Sequence, residues 1–384
     1  MMFKDLIVIK LLPFFLVFLL TFSFGLAIHA NCTSTANGVI ILDSNVNKTP
    51  GTCFTITSNN TLIDCQGFSI NYTGYSVNTN GFSNVTVKNC VINGNNSPSS
   101  GWGVWMDTGG FNNLILNNTI VTNSPGGGGI YVSLQTGANI SSNTIVTYNE
   151  QSPGIRFQDS NSSTIFSNSI TTNNSRTGPT GSYGFYLVGN THDNLLKNNT
   201  VNFLAMFNYS IYDLTSGDYY NYFSYSTSKG EINWMNNGTG SFLRNLSLLD
   251  SGGLGLNKNI IIDSNIVAVN TSGFTDGRIN SSANITLYSL SGDTVSSITK
   301  DHAFRLTAAT VSGFDCLTSS PVSCYQKSFS GGTLIFNVTG WSSFTSVTTS
   351  SSSGSVPEFE DYAMMFILVI SISGFFVMKR KQEG

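Results

Sequence analysis

The sequence predicts an all-β chain: a parallel-stranded solenoid, then a small β-sandwich-like domain, framed by an N-terminal signal segment and a C-terminal transmembrane helix. Three observations predict it. First, one short pattern returns five times between positions 74 and 201. Asn89, Asn118, Asn143, Asn168 and Asn199 are each followed by Cys, Thr or Ser and then by Val91, Ile120, Ile145, Ile170 or Val201. By subtraction of these numbers the Asn-to-Asn steps are 29, 25, 25 and 31, and Gly74, Gly103, Gly129, Gly154 and Gly184 stand at a near-constant distance ahead of each Asn. Self-similarity at this spacing marks a solenoid whose units each bury a face against the next. Second, the units are short alternating runs broken by Gly, Asn and Ser, without the long 3.6-residue periodicity that helical repeats need. Third, the repeat is lost from Gly238 onward, and strand-like runs follow at the spacing of a sandwich.

Within each unit the alternation assigns two faces. Val104 and Met106, Ile130 and Val132, Ile155 and Phe157, Phe185 and Leu187 share the parity that period 2 sends inward. A second strand carries Ile115, Ile140, Ile165 and Leu196 three residues before its Asn, and Ile120, Ile145, Ile170 and Val201 two after it. An Asn so placed fits a bend, where Asn tolerates left-handed backbone and offers its amide to the next rung. This pattern resembles the right-handed parallel β-helix family, in the short-rung form of NosD-like and other carbohydrate-binding or sugar-hydrolysing repeat domains. The resemblance covers roughly residues 37–235 and implies a fold rather than an activity. The copper delivery that a NosD likeness implies has no support in the residues. The expected mature chain has only His192 and His302 and no His/Met/Cys cluster at ligand spacing, so no metal or cofactor is expected.

Taken in order, residues 1–30 place Lys4 and Lys10 ahead of an apolar run and end in small residues at Ala27 and Ala30. That is a secretory signal with cleavage after Ala30; an uncleaved anchor is the alternative. Residues 31–237 are the β-helix, opening with runs at 39–42, 54–57 and 62–64 that form the cap and first rung. Asp64, one of the shorter repeat steps before Asn89, heads the Asn column and sets Cys65 under Cys90, so that a bridge between them is favoured. Cys32 with Cys53, and Cys316 with Cys324, complete the pairing. Six cysteines allow 15 pairings, and unpaired buried thiols are the competing reading. Asn221 and Phe223 extend the Asn column at a step of 22, and Glu231, Ile232 and Trp234 close the helix.

Residues 238–347 are the sandwich-like domain, with strands expected near 242–248, 259–269, 284–290, 303–309 and 333–338. The run Asn284-Ile285-Thr286-Leu287-Tyr288 resembles small β-sandwich modules that follow β-helices in archaeal surface proteins. Residues 348–361 are a Ser/Thr-rich stalk. Residues 362–384 are a transmembrane anchor of about 17 apolar residues with a basic end at Lys379, Arg380 and Lys381. With Pro357-Glu358-Phe359 ahead of it, this tail resembles an archaeosortase-type sorting signal, and an ordinary single-span anchor is the alternative. About eighteen Asn-x-Ser/Thr acceptors predict a glycoprotein displayed outside the membrane.

Function is read from the outward parity. Trp105, Tyr131, Arg156 and Tyr186 fall on one outer sheet beside Asp107, Gln158 and Asp159, a combination of flat faces and hydrogen-bonding groups that suits sugars. A purely structural aromatic stack is the competing reading. Charged residues make up 10% of the chain and the net charge is −3, which excludes a basic nucleic-acid surface. A β-helix polysaccharide lyase or glycoside hydrolase is the alternative function. Asp107 and Asp159, however, lie two rungs apart, about 10 Å, slightly beyond the usual acid–base separation. The expected partners are therefore a membrane or cell envelope and a polysaccharide.

Overall fold

The computed structural model describes residues 28–29, 32, 35–48, 50–94, 101–173, 183–203, 209–215, 221–234, 247–249, 254–273, 277–318 and 323–349. The predicted stalk beyond Thr349, the membrane span and all of the signal segment except Ile28 and His29 lie outside these residues. Among the described residues no helix is long and apolar enough to cross a membrane.

Each rung of the solenoid contributes one strand to each of three parallel sheets. In one rung these are Leu114–Leu116, Thr119–Thr122 and Gly128–Ser133. The apolar residues at the inward positions, mostly Val and Ile, stack on their equivalents one rung away. Val87, Ile115, Ile140, Ile165 and Leu196 form one column, and Ile92, Ile120, Ile145, Ile170 and Val201 a second. Val104, Ile130, Ile155, Phe185 and Ile211 form a third, and all three columns are buried. The alternation in the sequence is thus the section of a continuous apolar core.

The bend between the first two strands is built by two adjacent columns rather than one. Asn118, Asn143, Asn168 and Asn199 are buried, and each side-chain oxygen accepts from the backbone N–H one rung below, at 3.0 Å from Cys90 N, Asn118 N, Asn143 N and Asn168 N. The left-handed backbone belongs to the residue before each: Asn117, Ser142, Ser167 and Asn198, with φ between 54° and 56°. Asn89 (φ 55°) is in this second column, level with Asn117, and Cys90 is level with Asn118. The expected placement of Asn89 in the ladder is therefore one residue out. Asp64 pairs with Lys88, not Asn89, and its Oδ1 accepts from Asn89 Nδ2 at 3.0 Å. Asn221 also belongs elsewhere, to a ladder in which its Oδ1 accepts from Asn194 Nδ2 and Asn194 Oδ1 from Ser163 N. This second ladder sits just before the first-sheet strands, where Ala138 and Ser163 disguise it.

The glycine column is a packing requirement. A Cβ on Gly154 would lie 2.3 Å from Ile170 Cγ2 and 2.9 Å from Gly184 O, and one on Gly129 would lie 2.4 Å from Ile145 Cγ2. The second and third sheets approach so closely here that the isoleucines occupy the space of a side chain. Gly74 is the exception: Tyr75 pairs with Trp102, so Ser76 is the residue level with Gly103. Gly154→Ala should cost about 2 kcal/mol by overpacking, measured by urea denaturation; an unchanged midpoint would show that the sheets separate freely.

All six cysteines are paired, as Cys65–Cys90, Cys32–Cys53 and Cys316–Cys324, with Cα separations of 4.7, 4.6 and 5.3 Å. Three disulfides indicate an oxidising, extracellular setting. At the other end of the chain order, Ile28–His29 pairs in parallel with Ile40 and Ile41, so processing after Ala30 would remove this edge strand.

The far end of the solenoid is sealed. Tyr222–Thr227 turns back into Gly230–Trp234, which pairs antiparallel with Ala283–Leu287 and through it with Thr333–Val338 and Cys324–Ser330. The first sheet therefore runs without a break into the second unit. A five-stranded sheet packs against this extension, in the order Ile260–Asp263, Ile266–Val269, Ser343–Thr349, Thr294–Asp301, Phe314–Asp315. Phe336 and Phe344, from the two layers, have ring centroids 6.1 Å apart. Phe223, Trp234 and Trp341 continue the ring contacts back into the solenoid end, at 4.8 and 5.2 Å. Ser247–Leu249 covers the edge of the third sheet by pairing antiparallel with Tyr209–Thr215, and Leu254 bridges Val201 on the second. These pairings cover part of the row of backbone groups that each parallel edge would otherwise present to another chain. The expected strand near 303–309 is instead a loop with a 3-10 turn at Ala308–Thr310. Asp301 holds that loop, accepting from Arg305 Nε at 2.8 Å and from Ala303 N and Ser312 N at 3.0 Å. The Arg305 guanidinium, with these backbone bonds, keeps the Asp301 carboxyl well below the usual range.

Candidate ligand-binding face

The outer face of the third sheet carries the predicted column in register. Trp105 pairs with Tyr131, Tyr131 with Arg156, Arg156 with Tyr186 and Tyr186 with Tyr212. Trp105 and Tyr131 have centroids 4.2 Å apart, and the Arg156 guanidinium lies between Tyr131 and Tyr186, 5.2 and 5.3 Å from their centroids. Gln158 ties this segment together, its Oε1 accepting from Tyr131 Oη at 2.7 Å and from Arg156 Nη2 at 2.9 Å.

A second aromatic column stands three residues earlier and escapes a strict period-2 reading. Tyr75 pairs with Trp102, and Tyr183 with Tyr209. Alternation would send these inward. They face outward because two consecutive residues turn in: a Cβ on Gly103 would meet Ile120 Cγ2 at 2.5 Å, and Val104 is fully buried. That double inward step brings Trp102 back to the face of Trp105, their centroids 6.0 Å apart. The same step puts Tyr183 on Tyr186 at 4.8 Å. The signal was present as an aromatic-x-x-aromatic spacing in Trp102/Trp105, Tyr183/Tyr186 and Tyr209/Tyr212.

The rings pack on one another, so only part of the column is accessible surface. Trp102 is 2% exposed and Tyr131 8%, so both are backing rather than contact surface. The accessible part consists of Tyr75 and Trp105 toward one end and Arg156, Tyr186, Tyr212, Tyr183 and Tyr209 toward the other. In the second group Tyr183 and Tyr212 stack nearly parallel, 9° and 5.0 Å apart. Burial, reinforced by its tyrosine neighbours, pushes the Tyr183 hydroxyl up to about 12. Burial, then the Asp107 carboxylate, raises Tyr75 as well.

The polar candidates divide. Asp107 directly follows the paired Met106, and its Oδ1 is buried with no hydrogen-bond partner among the described residues, as is Arg156 Nε. Buried polar atoms left open in this way call for a further partner. Asp159 instead serves the next corner, its Oδ1 accepting from Asn190 N at 2.8 Å. Asp107 and Asp159 remain two rungs apart by register, since Tyr131 and Ser133 intervene before Arg156 and Gln158. His192 pairs with Asp193 at 2.9 Å on a different corner, bridged to Asn161. No group of three or more His, Cys, Asp or Glu that could hold a metal ion occurs among the described residues.

Residues 24–201, a little under half of the chain, match the family model described as the right handed beta helix region. The repeat region is a right-handed β-helix. No curated protein matches the chain significantly. Among solved structures, the crystal structure of the Dettilon tailspike protein aligns over 82% of this chain and 85% of its own, at 10% identity and a TM-score of 0.13. A likeness at that score supports no conclusion. The β-helix thus rests on its own register, and the character of its aromatic face rests on the residues above.

Proposed function

We propose that this chain is a cell-surface protein whose β-helix binds a neutral polysaccharide along the aromatic face. The observation that carries the reading is the registered column Trp105, Tyr131, Arg156, Tyr186, Tyr212. Five rungs span about 19 Å at one strand spacing each, room for roughly three to four sugar units. Trp105, Tyr186 and Tyr212 supply partly exposed ring surface, and Gln158, Arg156 and Asp107 supply polar atoms for hydroxyls. The single positive charge of Arg156 is offset by the Asp107 carboxylate, so the face has no positive excess to attract a polyanion. The signal-like N-terminus and the apolar, basic-ended C-terminus support display at the cell surface with the C-terminal segment as the anchor.

The test is a binding screen with cellohexaose, mannohexaose, maltohexaose and chitohexaose, followed by alanine variants at the exposed rings. At least one hexaose should bind. Trp105→Ala or Tyr186→Ala should then weaken it about tenfold, the loss of roughly 1.4 kcal/mol expected for one ring contact. Absence of binding to all four, or variants that lose thermal stability with unchanged affinity, would leave the stripe a structural stack.

A further inference from the structure

Five successive rungs leave the third sheet through left-handed backbone, at the pairs Asn80–Gly81 (φ 50° and 78°) and Thr108–Gly109 (φ 55° and 87°) and at the single residues Leu134, Asp159 and Gly189 (φ 55°, 51° and 67°). Gly has no Cβ to clash, and Asn and Asp bond locally from this conformation, which is why they are favoured there. Asp159 does so toward Asn190. Leu134 is the misfit. Its branched side chain carries the left-handed cost with no polar group to offset it, and it is 54% exposed, so burial gives nothing back. Phe111, 49% exposed, stands on the same corner, bridged to Thr136 two residues beyond Leu134. Strain held at an exposed apolar residue points to a role outside folding.

The position names the role. Leu134 N donates to Gln158 O at 3.0 Å, and the Gln158 side chain is the group that gathers Tyr131 and Arg156. Leu134 therefore stands at the rim of the aromatic face, level with its central rungs. We propose that Leu134 is a ligand-contacting, specificity-determining residue, packing on the C–H surface of a saccharide unit whose other side meets the Arg156–Tyr186 segment, with Phe111 extending the apolar rim. This rests on the saccharide-binding reading. It adds that the bound unit must present an apolar patch on its edge toward the corner, which discriminates among sugars by the orientation of their hydroxyls.

Leu134→Asn tests it, because Asn suits the left-handed backbone and removes the exposed apolar group. The thermal midpoint should rise by a few degrees, while affinity for the tightest-binding hexaose of the screen falls at least fivefold. Leu134→Met keeps an apolar side chain and should stay within twofold of the unmodified protein. Unchanged affinity in Leu134→Asn, or a lowered midpoint showing that Leu134 is needed for folding, would overturn the assignment with the saccharide reading intact. Failure of the unmodified protein to bind any hexaose would overturn both.

Discussion

Replacing Asn143 by Ala should destabilise the protein by about 3 kcal/mol. Asn143 is 1% exposed and serves four partners. Its Oδ1 accepts from Asn118 N and Asn118 Nδ2, both at 3.0 Å, and its Nδ2 donates to Ile115 O and Asn168 Oδ1, both at 2.9 Å. Alanine leaves Asn118 N and one hydrogen of Asn118 Nδ2 buried without an acceptor and takes a donor from Ile115 O, each costing about 1 kcal/mol or more, while Asn168 Oδ1 keeps the bond from the backbone N of residue 143. The damage sits between neighbouring rungs on both sides, and in a solenoid stability is carried by such nearest-neighbour interfaces. The adjacent Ser142, exposed and left-handed at φ 56°, is the control. Ser142→Asn should be neutral or slightly stabilising. Urea denaturation of both variants checks the pair, and a loss below about 1 kcal/mol for Asn143→Ala would mean that the ladder is not what fixes the bend.

The second large effect is expected from the Cys65–Cys90 bridge. It spans 25 residues, and closing a loop of that length stabilises by about 3.5 kcal/mol in the chain-entropy account. Cys316–Cys324 spans 8 residues, for about 2.5 kcal/mol on the same account. Cys65→Ser with Cys90→Ser should therefore lower stability more than the equivalent change at the C-terminal pair. All four of these cysteines are buried, so serine hydroxyls left in the core add to the loss equally in both variants, and loop length sets the order. Denaturation of the two double variants should rank them in that order. Equal losses would show that strain or residual structure, rather than loop closure, sets the contribution.

The Cys65–Cys90 pair also shows how sequence spacing can reach a right contact through a wrong register. The repeat step set Asp64 level with Asn89, whereas Asp64 faces Lys88. The first corner holds four residues between Asp64 and Ser69, where the next holds two between Lys88 and Val91. Both cysteines lie within these corners, and the extra residues bring them together. Where the rungs repeat evenly, the columns of Ile and Asn are legible because each position answers to one neighbour above and one below. Legibility fails where one rung departs from its neighbours. Gly103 and Val104 turn inward together, so period 2 hides Trp102 and Tyr183 from the face they share with Trp105 and Tyr186. Asn113, Ala138, Ser163, Asn194 and Asn221 occupy one ladder position with three residue types, so no repeated letter marks it. In the second unit, Thr294–Asp301 and Ser343–Thr349 are Ser/Thr-rich and are held by pairing with each other across a long intervening stretch of chain. Such strands are specified by partners rather than by their own alternation.

The aromatic face is tested most directly by tryptophan resonances, because the chain has four tryptophans divided between two places. Trp105 lies on the face with Trp102 beside it, whereas Trp234 and Trp341 pack against each other 5.2 Å apart where the solenoid meets the second unit. Protein labelled with 5-fluorotryptophan should show the Trp105 signal moving, and that of Trp102 following more weakly, as a binding hexaose is titrated. The signals of Trp234 and Trp341 should stay fixed. A titration that moves the buried pair and leaves Trp105 in place, or that moves none of the four, would contradict a saccharide site on this face of the β-helix.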